Sequence, residues 1–242
     1  MDDNLDQLLK NLKLMKIHEI LDTELTRAAK KQASYTELLS RLFRAQYLWK
    51  QQCSMEYRIR NAKLPERWSL ESFPFGKQPG VRAKTIRELA QLDFIPRADN
   101  LVLIGQTGVG KTGIASAILL KALENGYRGR FIKAQDLFDD MYSSLADRSS
   151  RLLLNRLVRL DLLVIDELGY LNLKPEQSNI FFKLMDERYR RKSTIITTNL
   201  DYDEWFSFLG NKKMVEALLD RLRHRCHTIR IDGPSLRSPE IQ

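Results

Sequence analysis

Apolar residues recur at spacings of three and four in the first segment of the chain, at Leu5, Leu8, Leu12 and Met15, which predicts an apolar stripe along one helix face. Ser34-Tyr35-Thr36-Glu37 has the form of a capping box, with a hydroxyl and a carboxylate each placed to satisfy a backbone donor at a helix start. It predicts a long helix to about Ala62. Pro65 limits further helix, and Phe73-Pro74-Phe75-Gly76 through Pro79-Gly80 has linker punctuation. Beyond it the pattern changes to short apolar or β-branched runs at Leu101–Ile104, Gly129–Lys133, Leu162–Asp166, Thr194–Thr198 and Thr228–Ile231. Helical stretches separate them at Thr112–Leu123, Gln135–Ser143, Gln177–Arg190 and Lys212–Arg223. This alternation predicts an α/β domain with five parallel strands joined by helical crossovers, whose ligand lies beyond the carboxyl ends of the strands.

A length of 242 residues suits one large domain with a smaller attachment, which we place as a helical domain over residues 1–66 and an α/β domain over 67–242. With 43% hydrophobic and 29% charged residues, disordered, collagenous and coiled-coil chains are excluded. No apolar run approaches the ~20 residues of a membrane span. The acidic start, Met-Asp-Asp-Asn, lacks the features of a secretory signal, so a cytoplasmic location is expected. Cys53 and Cys226 form no C-x-x-C pair, which fits a reducing compartment, and His224-Arg225-Cys226-His227 has no second cluster to complete a zinc site.

Gly105-Gln106-Thr107-Gly108-Val109-Gly110-Lys111-Thr112 fits the phosphate-loop pattern G-x-x-x-x-G-K-[ST], directly after a predicted strand and at the start of a predicted helix. Its glycines let backbone N–H groups converge on phosphate oxygens, and the helix N-terminus favours negative charge. Lys111 is placed for the β- and γ-phosphates of ATP, and the Thr112 hydroxyl for Mg²⁺. Leu162-Leu163-Val164-Ile165-Asp166-Glu167 ends a second strand in two carboxylates. Neighbouring strand residues face opposite ways, so we assign Asp166 to the Mg²⁺ shell and Glu167 to the attacking water, which favours ATP hydrolysis over nucleotide storage. Asn199, at the end of Ser193–Thr198, suits a γ-phosphate sensor, or alternatively a cap for the turn at Asp201. Leu219-Asp220-Arg221-Leu222-Arg223 carries arginines on a helix, either as a solvated face or with one of them as an arginine finger for a neighbouring copy.

Gly-Gln-Thr-Gly-Val-Gly-Lys-Thr, the 162–171 run Leu-Leu-Val-Ile-Asp-Glu-Leu-Gly-Tyr-Leu, Thr-Ile-Ile-Thr-Thr-Asn and Leu-Leu-Asp-Arg-Leu-Arg-His-Arg together resemble the IstB-type transposition helper ATPases, cousins of the DnaC-type helicase loaders. The resemblance runs from about Leu64 to Arg237. It implies an AAA+ fold, with Lys111 and Thr112 in Walker A, Asp166 and Glu167 in Walker B, Asn199 as sensor 1 and Arg221 as a finger acting in trans within a homo-oligomer. Gly233-Pro234-Ser235-Leu236-Arg237 is similar to the family's terminal segment and implies Arg237 as sensor 2, with no full C-terminal helical lid in the five residues that follow. Two positions depart from the pattern. Gly113 stands where the family commonly has histidine, and Leu171-Asn172-Leu173 stands where it often has proline.

Lysine and arginine exceed aspartate and glutamate by 9, and residues 25–63 hold nine basic side chains against two acidic ones. Arg41, Arg44, Lys50, Arg58 and Arg60, interleaved with Phe43, Tyr47, Trp49 and Tyr57, are candidate contacts to nucleic acid, the alternative being a solubilising helix face over an aromatic seam. Arg188, Arg190, Arg191 and Lys192 form a second basic run, read as a helix C-terminus complementing its dipole. The combined expectation is an ATP-dependent helper that oligomerises on double-stranded DNA, associates with the nucleoid and delivers DNA to, or activates, a partner transposase. A replicative helicase loader and a small-molecule P-loop kinase are the alternatives, the kinase lacking an evident acceptor site. Phe73 to Val81 is a candidate wall for the adenine.

Overall fold

The N-terminal pattern resolves into α1 (Asp3–Asn11), α2 (Met15–Lys31) and α3 (Tyr35–Asn61) in the computed structural model, which describes residues 3–169 and 173–237. Ser34 Oγ accepts the Glu37 N–H at 3.2 Å, so the predicted cap does start α3, but the Glu37 carboxylate turns to Arg41 at 3.5 Å. The predicted stripe does not hold. Lys13 takes φ 55°, which no α-helix continues through, and α1 stops two residues earlier. Leu5, Leu8, Leu12 and Met15 are exposed, and the small core is instead made by Leu9, Ile17, Leu21 and Leu42. Gln46, buried on α3, accepts the N–H groups of Lys16 and Ile17 at 2.9 and 3.2 Å and so caps α2 from a distance in sequence.

The chain forms two compact units, Met1–Tyr57 and Arg58–Gln242, so this division falls inside α3. The reason is local packing. Arg58 Nε donates to the Leu123 carbonyl at 2.9 Å, Ala62 is fully buried, and its carbonyl accepts the Phe131 N–H at 2.7 Å.

The second unit contains β1 (Asn100–Gly105), β2 (Gly129–Lys133), β3 (Leu162–Leu168), β4 (Ser193–Thr198) and β5 (Cys226–Ile231), each overlapping an expected strand. They pair in parallel in the order β2-β3-β4-β1-β5. Around the sheet lie α4 (Ala83–Leu89), α5 (Lys111–Glu124), α6 (Ala134–Ala146), α7 (Ser150–Val158), α8 (Pro175–Arg188), α9 (Trp205–Leu209) and α10 (Lys212–His224). Alternation along each strand divides the core in two. Leu101, Leu103, Val164 and Ile195 face α4 and α5, whereas Val102, Ile104, Leu163, Ile165 and Ile196 face Phe138, Phe181 and Leu218 of α6, α8 and α10.

The segment read as a linker is packed. Phe73, Gln78 and Val81 are buried, because proline and glycine there interrupt regular structure without preventing burial. Arg188 ends α8, where a helix C-terminus was expected, and is 1% exposed. Its guanidinium donates to Thr194 Oγ1 at 3.0 Å, to the carbonyls of Leu157 and Leu160 at 2.7 and 3.0 Å, and to the Ser193 carbonyl, tying α7 and α8 to the start of β4. Burial pulls its pKa down to about 9. Among the described residues no three histidine, cysteine, aspartate or glutamate side chains converge.

Candidate nucleotide site

The loop between β1 and α5 is shaped by two glycines in the left-handed region, Gly108 at φ 86° and Gly110 at φ 96°. Side chains are also excluded there by contact. A Cβ on Gly108 would lie 2.2 Å from Ser235 Oγ, and one on Gly110 would lie 2.7 Å from the Phe73 ring. The loop is therefore held from two sides. Leu236 N–H donates to the Gly108 carbonyl at 2.8 Å, and the buried Gln78 amide donates to the carbonyls of Val109 and Pro234 at 3.2 and 3.0 Å. Lys111 Nζ folds back onto the carbonyls of Gly105 and Gln106 at 2.7 and 2.8 Å. Burial lowers the pKa of its ammonium, Asp166 and Glu167 oppose that shift, and Arg237 adds to it.

Asp166 ends the regular part of β3 and is 1% exposed. It accepts the Thr112 hydroxyl at 3.0 and 3.1 Å through its two oxygens, and the Thr197 hydroxyl at 2.5 Å through Oδ1. Burial raises its pKa, and the hydroxyls of Thr197 and Thr112 hold it down. Pairing between β3 and β4 shifts from Ile165↔Ile196 to Leu168↔Thr198, so β3 carries one extra residue there. Within this bulge Glu167 adopts φ 61°, its N–H donates to Thr197 Oγ1 at 2.9 Å, and its carboxylate is half-exposed, 3.9 Å from Lys133 Nζ. Simple alternation would have sent Glu167 away from Asp166. The bulge instead brings both acids to one cleft.

That cleft, about 490 Å³ in volume, is lined by Thr107, Gly108, Gly110, Lys111, Thr112, Lys133, Asp166, Glu167, Asn199 and Arg237. Pro65, Glu66, Trp68, Phe73, Pro74, Phe131 and Leu236 also line it. Asn199 reaches it from the end of β4, and its Oδ1 is buried without a hydrogen bond among the described residues. Gln106 is exposed at the tip of the loop, Gly105 sits against the Ile231 carbonyl, and Val109 is buried in the core. Of the expected adenine wall, Phe73 and Pro74 line the cleft, while Phe75 packs on Phe73 with ring centroids 4.8 Å apart. The residues present fit a magnesium nucleotide: an all-oxygen pair, Thr112 and Asp166, beside a loop where backbone takes the place of side chains. Thr197, which holds both acids, was not found by sequence reading, although its position two residues before Asn199 on a strand places the two on one face.

The remaining candidates lie elsewhere. Arg221 does not line the cleft; it is half-exposed on α10 and pairs with Asp186 at 2.9 Å. Two of the five basic candidates are engaged within the protein, Arg41 with Glu24 and Glu37 at 3.2 and 3.5 Å, and Arg58 with the Leu123 carbonyl. Arg44, Lys50 and Arg60 are exposed. Tyr170 and Leu171 of the acidic-strand motif, and most of the Leu171-Asn172-Leu173 departure, lie outside the described residues.

Residues 7–241 match the family described as IstB-like ATP binding protein. The chain is 35% identical over 236 residues to the IS21 insertion-sequence protein of Pseudomonas aeruginosa, named for ATP binding, covering 98% of this chain and 89% of that one. It is 36% identical over 207 residues to the corresponding IS5376 protein of Geobacillus stearothermophilus, covering 86% and 82%. Among solved structures it is similar to the DnaC helicase loader, with a TM-score of 0.55, 26% identity and coverage of 62% of this chain and 88% of that one. The fold also matches a DnaA replication initiator bound to AMPPCP and single-stranded DNA, with a TM-score of 0.59 and 20% identity over 71% of this chain and 52% of that one. No described helix is long and apolar enough to cross a membrane.

Proposed function

The chain belongs to the IstB-like ATP-binding family, with the AAA+ fold, and from that premise we propose that it is an ATPase that assembles on duplex DNA and delivers it to, or activates, a partner transposase. The observation that carries the reading is the convergence of Thr112, Asp166, Glu167 and Asn199 on the cleft that contains the phosphate loop. Residues Gly105 to Thr112 cradle the phosphates through backbone N–H groups, Lys111 exchanges its two carbonyl partners for phosphate oxygens, and Arg237 adds a second cation. Thr112 and Asp166 would hold Mg²⁺, which would supply neutralisation of the charge developing on the phosphate oxygens. Glu167 accepts the proton of the attacking water as the new oxygen–phosphorus bond forms and the bond to the β,γ-bridging oxygen breaks, releasing ADP and phosphate. Asn199 hydrogen-bonds the γ-phosphate.

Arg221, exposed and outside its own cleft, acts on the γ-phosphate of a neighbouring copy, a contribution of roughly 10³–10⁵ in rate for such fingers. Arg44, Lys50 and Arg60 contact DNA phosphates, and Arg41 and Arg58 serve the fold. The first experiment compares wild type and Glu167→Gln with ATP·Mg²⁺ on duplex and single-stranded DNA, by light scattering and gel shift at two salt concentrations. Stalled hydrolysis with large complexes on duplex DNA supports the helper. Absence of DNA binding under all conditions refutes it. The similarity to DnaC favours a second reading as a helicase loader, which predicts preference for single strands and pull-down of a replicative helicase. Steady phosphate release without any acceptor excludes a kinase.

A further inference from the structure

The cleft's lining is chemically mixed: it holds the cations Lys111, Lys133 and Arg237, the carboxylate of Glu66, and the apolar Pro65, Trp68, Phe73, Pro74 and Leu236. A nucleotide asks for both kinds of surface, cations for its phosphates and a flat apolar face for its base. We propose that Trp68 is the stacking platform for the base, and that the absence of a side chain at Gly113 keeps the indole in place.

Geometry singles out Trp68 among the aromatic groups that line the cleft. Phe73 is 5% exposed, and its ring is spent against the phosphate loop, within 3 Å of where a Cβ on Gly110 would lie. Phe131 also lines the cleft, but it is 4% exposed and packed in the core with α5. Trp68 is 36% exposed and retains surface open to the cleft. Its fused-ring atoms lie over the first turn of α5: a Cβ at residue 113 would be 3.5, 3.6 and 3.8 Å from Cδ2, Cε3 and Cε2. An alanine there makes ordinary contact. Any longer side chain takes the space the indole occupies, so a small residue at 113 and the position of Trp68 are one feature. The turn follows Lys111 and Thr112 directly, which puts the indole next to the loop that receives the phosphates. A flat π surface accepts any base, so the platform supplies affinity for nucleosides over bare phosphates rather than discrimination among bases.

The inference rests on the nucleotide reading of the cleft, and the test separates the two. ADP and inorganic pyrophosphate, each with Mg²⁺, are titrated into the full-length chain and into Trp68→Ala, Trp68→Phe and Gly113→Leu by calorimetry, with melting curves as a folding control. Loss of base–aromatic stacking should weaken ADP by about ten-fold or more in Trp68→Ala while pyrophosphate stays within about two-fold. Trp68→Phe should recover most of the ADP affinity, and Gly113→Leu should reproduce the loss with the tryptophan still present. Unchanged ADP affinity in Trp68→Ala, or an equal loss for both ligands, overturns the assignment. Failure of wild type to bind either ligand overturns the nucleotide reading and this inference with it.

Discussion

Thr197→Val is the sharpest probe of the acidic corner, because one hydroxyl serves both carboxylate residues. Thr197 is fully buried, donates to Asp166 Oδ1 at 2.5 Å and accepts the Glu167 N–H at 2.9 Å. Valine has nearly the same shape and makes neither bond. A hydrogen bond to a charged group is worth about 1.5–3 kcal/mol, and leaving a buried N–H unsatisfied costs about 1–3 kcal/mol. The methyl that replaces the hydroxyl returns less than about 1 kcal/mol. The net cost is about 3 kcal/mol, which at about 2–4 °C per kcal/mol for a domain of this size lowers Tm by about 6–12 °C. Thr197→Ser keeps both bonds and should lose about 1 kcal/mol for its missing methyl. Thermal unfolding followed by circular dichroism reads the stability of all three proteins. Phosphate release should fall on the order of 10–100-fold in Thr197→Val, since Glu167 loses the bond that holds its backbone in the bulge. A Tm within 2 °C of wild type for the valine variant, or an equal fall for serine, refutes the shared-hydroxyl argument.

Arg188→Met removes every donor from a buried site and strands the carbonyls of Leu157, Leu160 and Ser193, so urea unfolding should show a loss of about 3–5 kcal/mol. Asp161 is partly buried, which by itself raises its pKa, yet hydrogen bonds from Arg128 and Lys192 hold it down to about 2 from 3.8. A carboxylate with a depressed folded pKa contributes stability that is present above about pH 4 and lost as pH falls toward 2. The Tm difference between wild type and Asp161→Asn should therefore shrink over that window, and a constant difference would contradict the assignment. On duplex DNA, each of Arg44→Ala, Lys50→Ala and Arg60→Ala should weaken binding and reduce the salt slope by about one. Arg41→Ala, by contrast, should mainly lower the thermal stability of the helical unit, because its guanidinium pairs with Glu24 and Glu37.

Much of this molecule is determined by local sequence. Strands β1, β3 and β4 are legible because their short β-branched and apolar runs are buried on both faces, the outer β2 and β5 from shorter runs of the same kind, and the phosphate loop because its glycines, lysine and threonine must follow one another along the chain to do their work. α3 is legible from its cap. Other features depend on partners far apart in sequence, and these only the tertiary structure decided. The left-handed Glu167 and the bulge around it exist because Thr197, thirty residues on, holds its N–H. Gln46 caps a helix it does not belong to, and Arg188, legible as a helix C-terminus, gives no sign in sequence of the α7 and β4 groups that bury it. Phe73 to Gly80 lacks any periodic pattern, yet within it Phe73 and Gln78 are buried against the phosphate loop and the segment ending at Arg237. Periodicity reports which face of an element meets the core. It carries no information on which distant polar group will meet a given hydroxyl, carbonyl or N–H, and in this protein those meetings build the acidic corner of the nucleotide cleft.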